Sequence, residues 1–313
     1  MDAGAFAVVP STLHRLAAGM RFPPHLLFPL PSSFAYVLAV LLIKRGTGYG
    51  IGVWRTTFVA NVAMGVCFSP LLVLGGAGQP LSMLWQPAFT ALLFFAGQVA
   101  TFLALEGDVS IATPVLGLKI LLVAFFSAFL IADPIPLQWW VAAFLSTLAI
   151  VLLNYGSKGI PHRRVGATVG WGSLAATAYA LTDVLVQKWA RAWGVGIYLP
   201  LMFGALGLYS IGLIPKFQAP LSSVPRAAWR WLVPGTVLLA LQAASIAYTL
   251  GVYGDATAVN IVYSSRGLWS VIAVWLVGHW FKNEEQRLPR ALLRNRFIGT
   301  ILMLAAIGLV VVA

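Results

Sequence analysis

Long apolar runs separated by short polar turns dominate the chain. A helix needs about 20 mostly apolar residues to cross the hydrocarbon core of a bilayer. Ten runs approach or exceed that length, and Gly, Pro and charged residues separate them. The runs are apolar on every side and longer than the alternating strands of a membrane barrel, so they predict transmembrane helices. The ten predicted spans are 26–43, 51–74, 84–105, 109–131, 137–154, 166–187, 197–215, 230–251, 256–280 and 297–313.

Composition supports the same class of protein. Of the 313 residues, 60% are hydrophobic and 9% are charged, whereas a soluble domain has about 25% charged residues. The net charge of +12 lies mostly in short loops, so a nucleic-acid partner is not needed to explain it. We expect a multi-pass protein of the cell (inner) membrane, monomeric or homodimeric, whose partners are the bilayer and a small-molecule solute. One cysteine and four scattered histidines predict neither a metal site nor a cofactor.

The distribution of Lys and Arg predicts the orientation of the chain. Fourteen of the twenty basic residues lie in the loops that follow spans 1, 3, 5, 7 and 9, or directly beside those loops. Four lie on the opposite side, which also holds both termini. The positive-inside rule therefore places the fourteen in the cytoplasm and both termini outside. Residues 1–25 are interpreted as a tail that does not span the membrane, or as a short interfacial helix.

A short repeated sequence suggests that the ten spans form two halves. Gly107-Asp108-Val109-Ser110 and Gly254-Asp255-Ala256-Thr257 lie 147 residues apart, and each opens an apolar run. Five spans is an odd number, so the second half must enter the membrane from the opposite side. The predicted fold is an all-α polytopic membrane protein with two inverted five-helix repeats around a central cavity. The predicted units are a first repeat at 26–154, a basic linker at 155–165 and a second repeat at 166–313.

Several segments resemble one transporter family. The segments are Leu103-Ala104-Leu105, Ser110 to Val115, Asp133 to Trp139, Phe297 to Gly308, and Arg55 in span 2. Together they are similar to the drug/metabolite transporter superfamily, and EamA-type members are the nearest. The resemblance implies a carrier whose cavity is built largely from spans 3, 4, 8 and 9, with contributions from spans 1 and 6. Many members have apolar residues or proline in the middle of spans 4 and 9, where this chain has cations.

Lys119 and Arg266 are the two basic residues inside predicted spans. Each lies about ten residues into its span, roughly 15 Å from the surface at the helical rise of 1.5 Å per residue, and 147 positions separate them. A charge at that depth costs at least about 2.5 kcal/mol. One interpretation is a pair of cations that receives a carboxylate or phosphate of a substrate. The alternative is that each cation is neutralised by a buried acid.

Asp183 is the one acid well inside a predicted span, and two roles are open for it. It could form a salt bridge with Lys119 or Arg266, or it could bind and release a proton during transport. Other polar side chains are expected to line the same cavity as candidate substrate-binding residues. These are Tyr263, Asn260, Gln98, Gln242, Tyr36 and Tyr179, and Ser245, Ser264 and Ser265 could line the cavity as well.

These features favour a secondary-active transporter of a small organic metabolite with an anionic group, working by alternating access. The chain has no Walker A motif for ATP hydrolysis and no Gly-x-Ser-x-Gly motif, and we expect no enzymatic activity. The alternative is a membrane-embedded transferase acting on a lipid or lipid-linked substrate. Glu106 and Asp108 would be its only acid pair, and ending span 3 and capping span 4 is the preferred interpretation of these two residues.

Overall fold

A computed structural model of the protein describes residues 23–107, 109–132, 134–154, 165–277 and 290–312. Within these ranges the chain forms α-helices and short 3-10 segments, and they contain no strand. The prediction of an all-helical chain is thus confirmed for the described residues. Nearly all of the linker 155–165 and of the tail 1–25 lies outside them, and the expectations for these segments stay predictions.

Twelve α-helices lie within the described residues. They are α1 (Pro29–Thr47), α2 (Val53–Phe68), α3 (Trp85–Gly107), α4 (Val109–Gly117), α5 (Lys119–Leu130), α6 (Leu137–Asn154), α7 (Val165–Trp193), α8 (Val195–Tyr209), α9 (Arg226–Val252), α10 (Ala256–Tyr263), α11 (Arg266–Val277) and α12 (Arg290–Val312). Short 3-10 segments extend several of them, including Ser69–Leu74 after α2 and Ser210–Lys216 after α8.

Seven helical segments of the described residues are long and apolar enough to cross a membrane. Two further apolar helices, Leu137–Leu153 and Phe297–Val312, are slightly shorter. The predicted span 256–280 is divided between α10 and α11, and neither part alone has membrane length. These lengths are compatible with an integral membrane protein that crosses the bilayer several times.

Two predicted spans are interrupted in the middle by a short turn, called a break below. Leu118 and Ser264 keep right-handed helical backbone angles within these turns, and Ile111–Leu130 is still long enough to cross a membrane as one segment. α4 ends at Gly117 and α5 begins at Lys119, while α10 ends at Tyr263 and α11 begins at Arg266. Pro114 inside α4 lacks an N–H donor, which weakens the helical hydrogen bonding before the first break. At the second break, the Ser264 hydroxyl competes with the helix for the carbonyl of Ile261. Both cations therefore lie at the first residue of a half-helix.

Serine side chains account for the break between α10 and α11. The Ser264 hydroxyl donates to the carbonyl of Ile261 at 2.6 Å. The Ser265 hydroxyl is 2.8 Å from that of Ser33 on α1, and both serines are buried. The Ser264 hydroxyl shares the Ile261 carbonyl with the Ser264 backbone N–H, and the bond between Ser265 and Ser33 ties the break to α1.

The helices pair in a reciprocal way. The most extensive contacts join α1 with α9, α3 with α7, and α6 with α12, and α2 packs on α8. The broken pair α4 and α5 packs on α7, while the broken pair α10 and α11 packs on α1. Because α5 also contacts α10, the two broken segments meet each other between α1 and α7.

Helix α7 continues to Trp193, beyond the predicted end at residue 187. Its last turns hold two cations that the sequence analysis placed in a loop. Lys188 Nζ donates to the carbonyl of Leu130 at 2.9 Å, and an Arg191 Nη donates to the carbonyl of Tyr253 at 2.8 Å. Both carbonyls lie at the C-terminal ends of helices, where cations are favourable.

The Gly254-Asp255 dipeptide forms the turn between α9 and α10. Both residues have positive φ, +80° for Gly254 and +56° for Asp255. Glycine adopts this conformation without a steric penalty, and aspartate tolerates it better than most residues. The Gln187 side chain then accepts a 2.8 Å hydrogen bond from the N–H of Ala256, which caps the first turn of α10. The repeated sequence echo thus corresponds, in the second half, to a tight helix-to-helix turn.

Helix α8 packs closely against the loop that follows α2. A Cβ built at Gly196 would lie 2.5 Å from the carbonyl oxygen of Gly75 and 2.7 Å from that of Leu71. Both are backbone atoms, so the loop or the helix would have to move. The close approach depends on the absence of a side chain at this position.

We expect Gly196→Ala to lower the free energy of unfolding by about 1–3 kcal/mol, the usual cost of overpacking. Gly204→Ala is the matched control in the same helix, since a Cβ at Gly204 has no neighbour within 4 Å. Thermal unfolding of both variants in detergent checks the expectation. Equal stability of the two variants would show that the loop adapts without cost.

Candidate functional site

Lys119 forms an ion pair with Asp183. The Nζ atom of Lys119, on α5, lies 2.7 Å from Oδ2 of Asp183 on α7. The two side chains are 17% and 14% exposed, so the pair is largely enclosed by the protein. Of the two partners that the sequence left open for Asp183, the structure places Lys119 beside it.

Asn260 binds the same carboxylate oxygen. Its Nδ2 donates to Asp183 Oδ2 at 2.8 Å and to the carbonyl of Ala256 at 2.9 Å. The Asn260 side chain is buried. One carboxylate oxygen therefore joins α5, α7 and α10, because it accepts from a lysine and from an amide on different helices.

Arg266 lies between two tyrosines. Its guanidinium carbon is 5.0 Å from the ring centroid of Tyr36 on α1 and 4.9 Å from that of Tyr263 on α10. The two rings meet edge to face at 6.2 Å. Rings at these distances attract a cation through their quadrupoles. Among the described residues, no carboxylate lies within ion-pair distance of Arg266.

Gln242 fixes the orientation of the Tyr263 ring. The Tyr263 hydroxyl donates to Gln242 Oε1 at 2.8 Å, and Gln242 Nε2 donates to the carbonyl of Leu239 at 3.0 Å. Tyr263 and Gln242 are both buried. The amide is held by the backbone of α9, so the ring beside Arg266 has a defined position.

Tyr179 lies near Lys119 as Tyr36 lies near Arg266. Lys119 Nζ is 6.0 Å from the centroid of the Tyr179 ring. That ring packs edge to face on Phe94, and a Cβ at Gly97 would come within 3.0 Å of it. Each cation thus lies near a tyrosine of a neighbouring helix, α7 for Lys119 and α1 for Arg266. Among the described residues, only Lys119 also has an acidic partner.

Lys119 and Arg266 line one small cavity. The other lining residues are Leu116, Gly117, Ile120, Ile150, Asn260, Tyr263 and Ser264. The cavity volume is about 20 Å³, close to the room that one water molecule needs. Both breaks border the cavity, and the amide of Asn260 and the ring of Tyr263 supply further polar groups. The cavity thus presents the Arg266 cation beside the ion pair of Lys119 and Asp183.

Gln98 belongs to a second polar cluster. It exchanges two 2.8 Å hydrogen bonds with Asn61 on α2, and Asn61 also donates to Ser210 at 2.8 Å. Asn61 is fully buried and joins α2, α3 and the segment after α8. Sequence reasoning missed Asn61, although a lone amide in the middle of an apolar run was the available signal. The structure does not bring Gln98 to the cations.

Arg55 and Glu106 lie away from the cavity residues. Arg55 is buried, and its guanidinium donates to the carbonyl of Gly50 at 2.9 Å and to the hydroxyl of Ser223 at 3.3 Å. It connects the turn before α2 with the segment before α9. Glu106 is exposed near the end of α3, and Asp108, its proposed partner in the transferase alternative, lies outside the described residues.

Comparisons with known proteins support the fold and leave the family open. No family model and no curated protein matches the chain. Twenty-nine chains of solved structures are similar to it. One, described only as "Crystal structure of protein", is 18% identical with a TM-score of 0.72. The match covers 92% of this chain and 98% of that chain, so the two share their fold over almost their whole length.

Proposed function

We propose that the protein is a secondary-active carrier of a small organic solute with an anionic group. The observation that carries the proposal is the shared cavity between the two broken helices, which is lined by Lys119 and by Arg266. The Arg266 guanidinium has tyrosine rings but no described acid beside it. A cation left without an anion at membrane depth is costly, and an incoming anionic group offsets that cost. The solute and the lipid bilayer are the partners, and the carrier is a monomer or a homodimer.

The proposed architecture has ten membrane spans in two inverted five-helix halves, as in EamA-like members of the drug/metabolite transporter superfamily. Reciprocal packing supports it: α1 contacts α9 as α7 contacts α3. In the same way, α4 and α5 pack on α7 while α10 and α11 pack on α1. The residues that begin α5 and α11 are 147 positions apart, the same interval that separates the two Gly-Asp dipeptides. An exchange of the two halves therefore preserves these pairings.

Alternating access follows from this architecture. Discontinuous helices at a repeat interface are typical places for substrate sites in secondary transporters, because the breaks expose polar groups at the midplane. The halves rock around the fixed site and open it to each side in turn. The described conformation has a cavity near the size of one water, so α5 and α10 must move apart before an organic solute enters.

The orientation of the carrier is predicted by its basic loops. We expect a location in the cell (inner) membrane, with the loop that holds Arg163 and Arg164 in the cytoplasm and both termini outside. Reporter fusions at Lys158 and Ala313 should therefore report opposite sides. A cytoplasmic reporter at Ala313 would contradict the orientation, and reporters on the same side at both positions would contradict the span count.

Transport by the purified protein in liposomes tests the proposed function. A panel of organic acids and their neutral amides is offered as radiolabelled solutes, with and without an imposed pH gradient. We expect uptake of at least one anionic solute without ATP, and no uptake by protein-free liposomes. Uptake that requires an added ATPase and ATP would exclude a secondary carrier. Turnover of a lipid-linked substrate without solute movement would favour the transferase alternative.

A further inference from the structure

The two cations of the cavity are not equivalent in charge. Lys119 is neutralised by Asp183 at 2.7 Å, and Asn260 donates a further hydrogen bond to the same carboxylate. Arg266 is flanked by the neutral rings of Tyr36 and Tyr263. The charged groups described around the cavity therefore add up to a single positive charge, which is located on Arg266.

The asymmetry arises from one position in each half. Asp183 follows Tyr179 by four residues on α7, which puts the two on one face of the helix. Four residues after Tyr36, the tyrosine at the corresponding place on α1, stands Val40. The second half thus supplies an acid for Lys119 where the first half supplies an apolar residue for Arg266. Both halves therefore have the tyrosine, and only the second half has the acid.

We propose that the cavity is selective for solutes with one negative charge, and that Asp183 is the residue that sets this selectivity. The inference rests on the proposed function and names the class of solute, a small organic monoanion such as a monocarboxylate. Asp183 acts on selectivity through Lys119, because it removes the charge that would otherwise accept a second anionic group.

The physical reason is the cost of net charge in an enclosed site. A monoanion beside Arg266 leaves the occupied cavity neutral. A dianion leaves one negative charge without a partner, and a neutral solute leaves the arginine uncompensated. Coulomb interactions are several times stronger in a protein interior than in water, so a mismatch of one charge should change affinity by about tenfold or more.

Matched solutes isolate charge from size. Succinamide, succinamate and succinate have nearly the same shape and carry no, one and two negative charges at neutral pH. The same series built on malonic, glutaric and adipic acids covers other lengths. Binding is measured on the full-length protein in detergent as the ligand-induced shift of the thermal unfolding midpoint. For the parent protein we expect the monoanion of at least one series to bind about tenfold more tightly than its dianion.

Four variants change the cavity charge in steps. Asp183→Asn raises it to two positive charges and should move the preference to the dianion. Lys119→Gln lowers it to zero and should remove the preference for the monoanion. The double variant Lys119→Gln with Asp183→Asn keeps Arg266 as the one charge, so it should regain the preference of the parent. Glu106→Gln is the matched control, since it removes one acid from an exposed position and should leave the preference unchanged.

The outcomes separate the inference from the proposed function. If no charged solute binds the parent or the Asp183→Asn variant, the anion site and the proposed function fail together. If anions bind but Asp183→Asn keeps the monoanion preference, the function survives and the role of Asp183 in selectivity is wrong. Where Asp183→Asn does not fold, the double variant decides. A preference for the dianion in the double variant, which has one cation, would overturn the inference.

Discussion

Replacing Lys119 by glutamine is expected to lower the free energy of unfolding by about 3–5 kcal/mol, the cost of breaking an enclosed ion pair from one side. The change leaves the Asp183 carboxylate with the Asn260 amide but without its cation. Asp183→Asn should be destabilising in the same way, because it strands the ammonium group. The double variant removes both charges and should recover much of the loss. Thermal unfolding of the purified proteins in detergent measures all three.

Lys44→Gln is the matched control for Lys119→Gln. Lys44 is an exposed lysine near the end of α1, and its replacement should change stability by less than about 0.5 kcal/mol. Full stability of Lys119→Gln would contradict the ion-pair interpretation. If Asp183→Asn also folds normally but loses pH-dependent uptake, the second role considered for Asp183, that of a proton carrier, is favoured.

Replacing Arg266 by glutamine should leave the protein folded but greatly reduce its transport activity, whereas Lys119→Gln should mainly reduce stability. No described acid depends on Arg266, so its loss strands no opposite charge. The change removes the cation proposed to bind the anionic group, and a hydrogen bond to a charged group contributes about 1.5–3 kcal/mol. We therefore expect initial uptake of the anionic solute to fall by about tenfold or more. Uptake is measured in liposomes that contain equal amounts of folded protein.

Arg45→Gln provides the control for this loss. Arg45 also lies over an aromatic ring, at 5.8 Å from the centroid of Trp231, but it is exposed. Its replacement removes a cation and a ring contact while leaving the cavity intact. Uptake by Arg45→Gln should stay near that of the parent. An Arg266→Gln protein that transports equally well would refute the proposed site.

The sequence predicted the elements of this fold better than it predicted their interruptions. Apolar runs of membrane length are a strong signal: the described residues of these runs are helical, and seven helical segments among them reach membrane length. The breaks before Lys119 and Arg266 were not predicted. The second break depends on local competition for a backbone carbonyl, that of Ile261, by the Ser264 hydroxyl, and hydropathy does not record such competition.

In the candidate site, too, the sequence predicted some features and left others open. The charges of Lys119, Arg266 and Asp183 were visible in the sequence because charges inside apolar runs are rare. Which cation Asp183 contacts was not visible, because helical periodicity gives the face of a residue and leaves the neighbouring helix open. Gln98 illustrates the limit, since it was a candidate for the cavity while its partner is Asn61 on another helix.

The convergence of Lys119 and Asn260 on one oxygen of Asp183 restricts how the helices can move. A displacement that separates α5 from α10 must break at least one of the two bonds at that atom. A displacement of α7 away from both helices must break the two together. Two different motions are therefore possible, one that breaks the bond between Lys119 and Asp183 and one that breaks the bond between Asn260 and Asp183. In either motion the Asp183 carboxylate keeps one of its two partners.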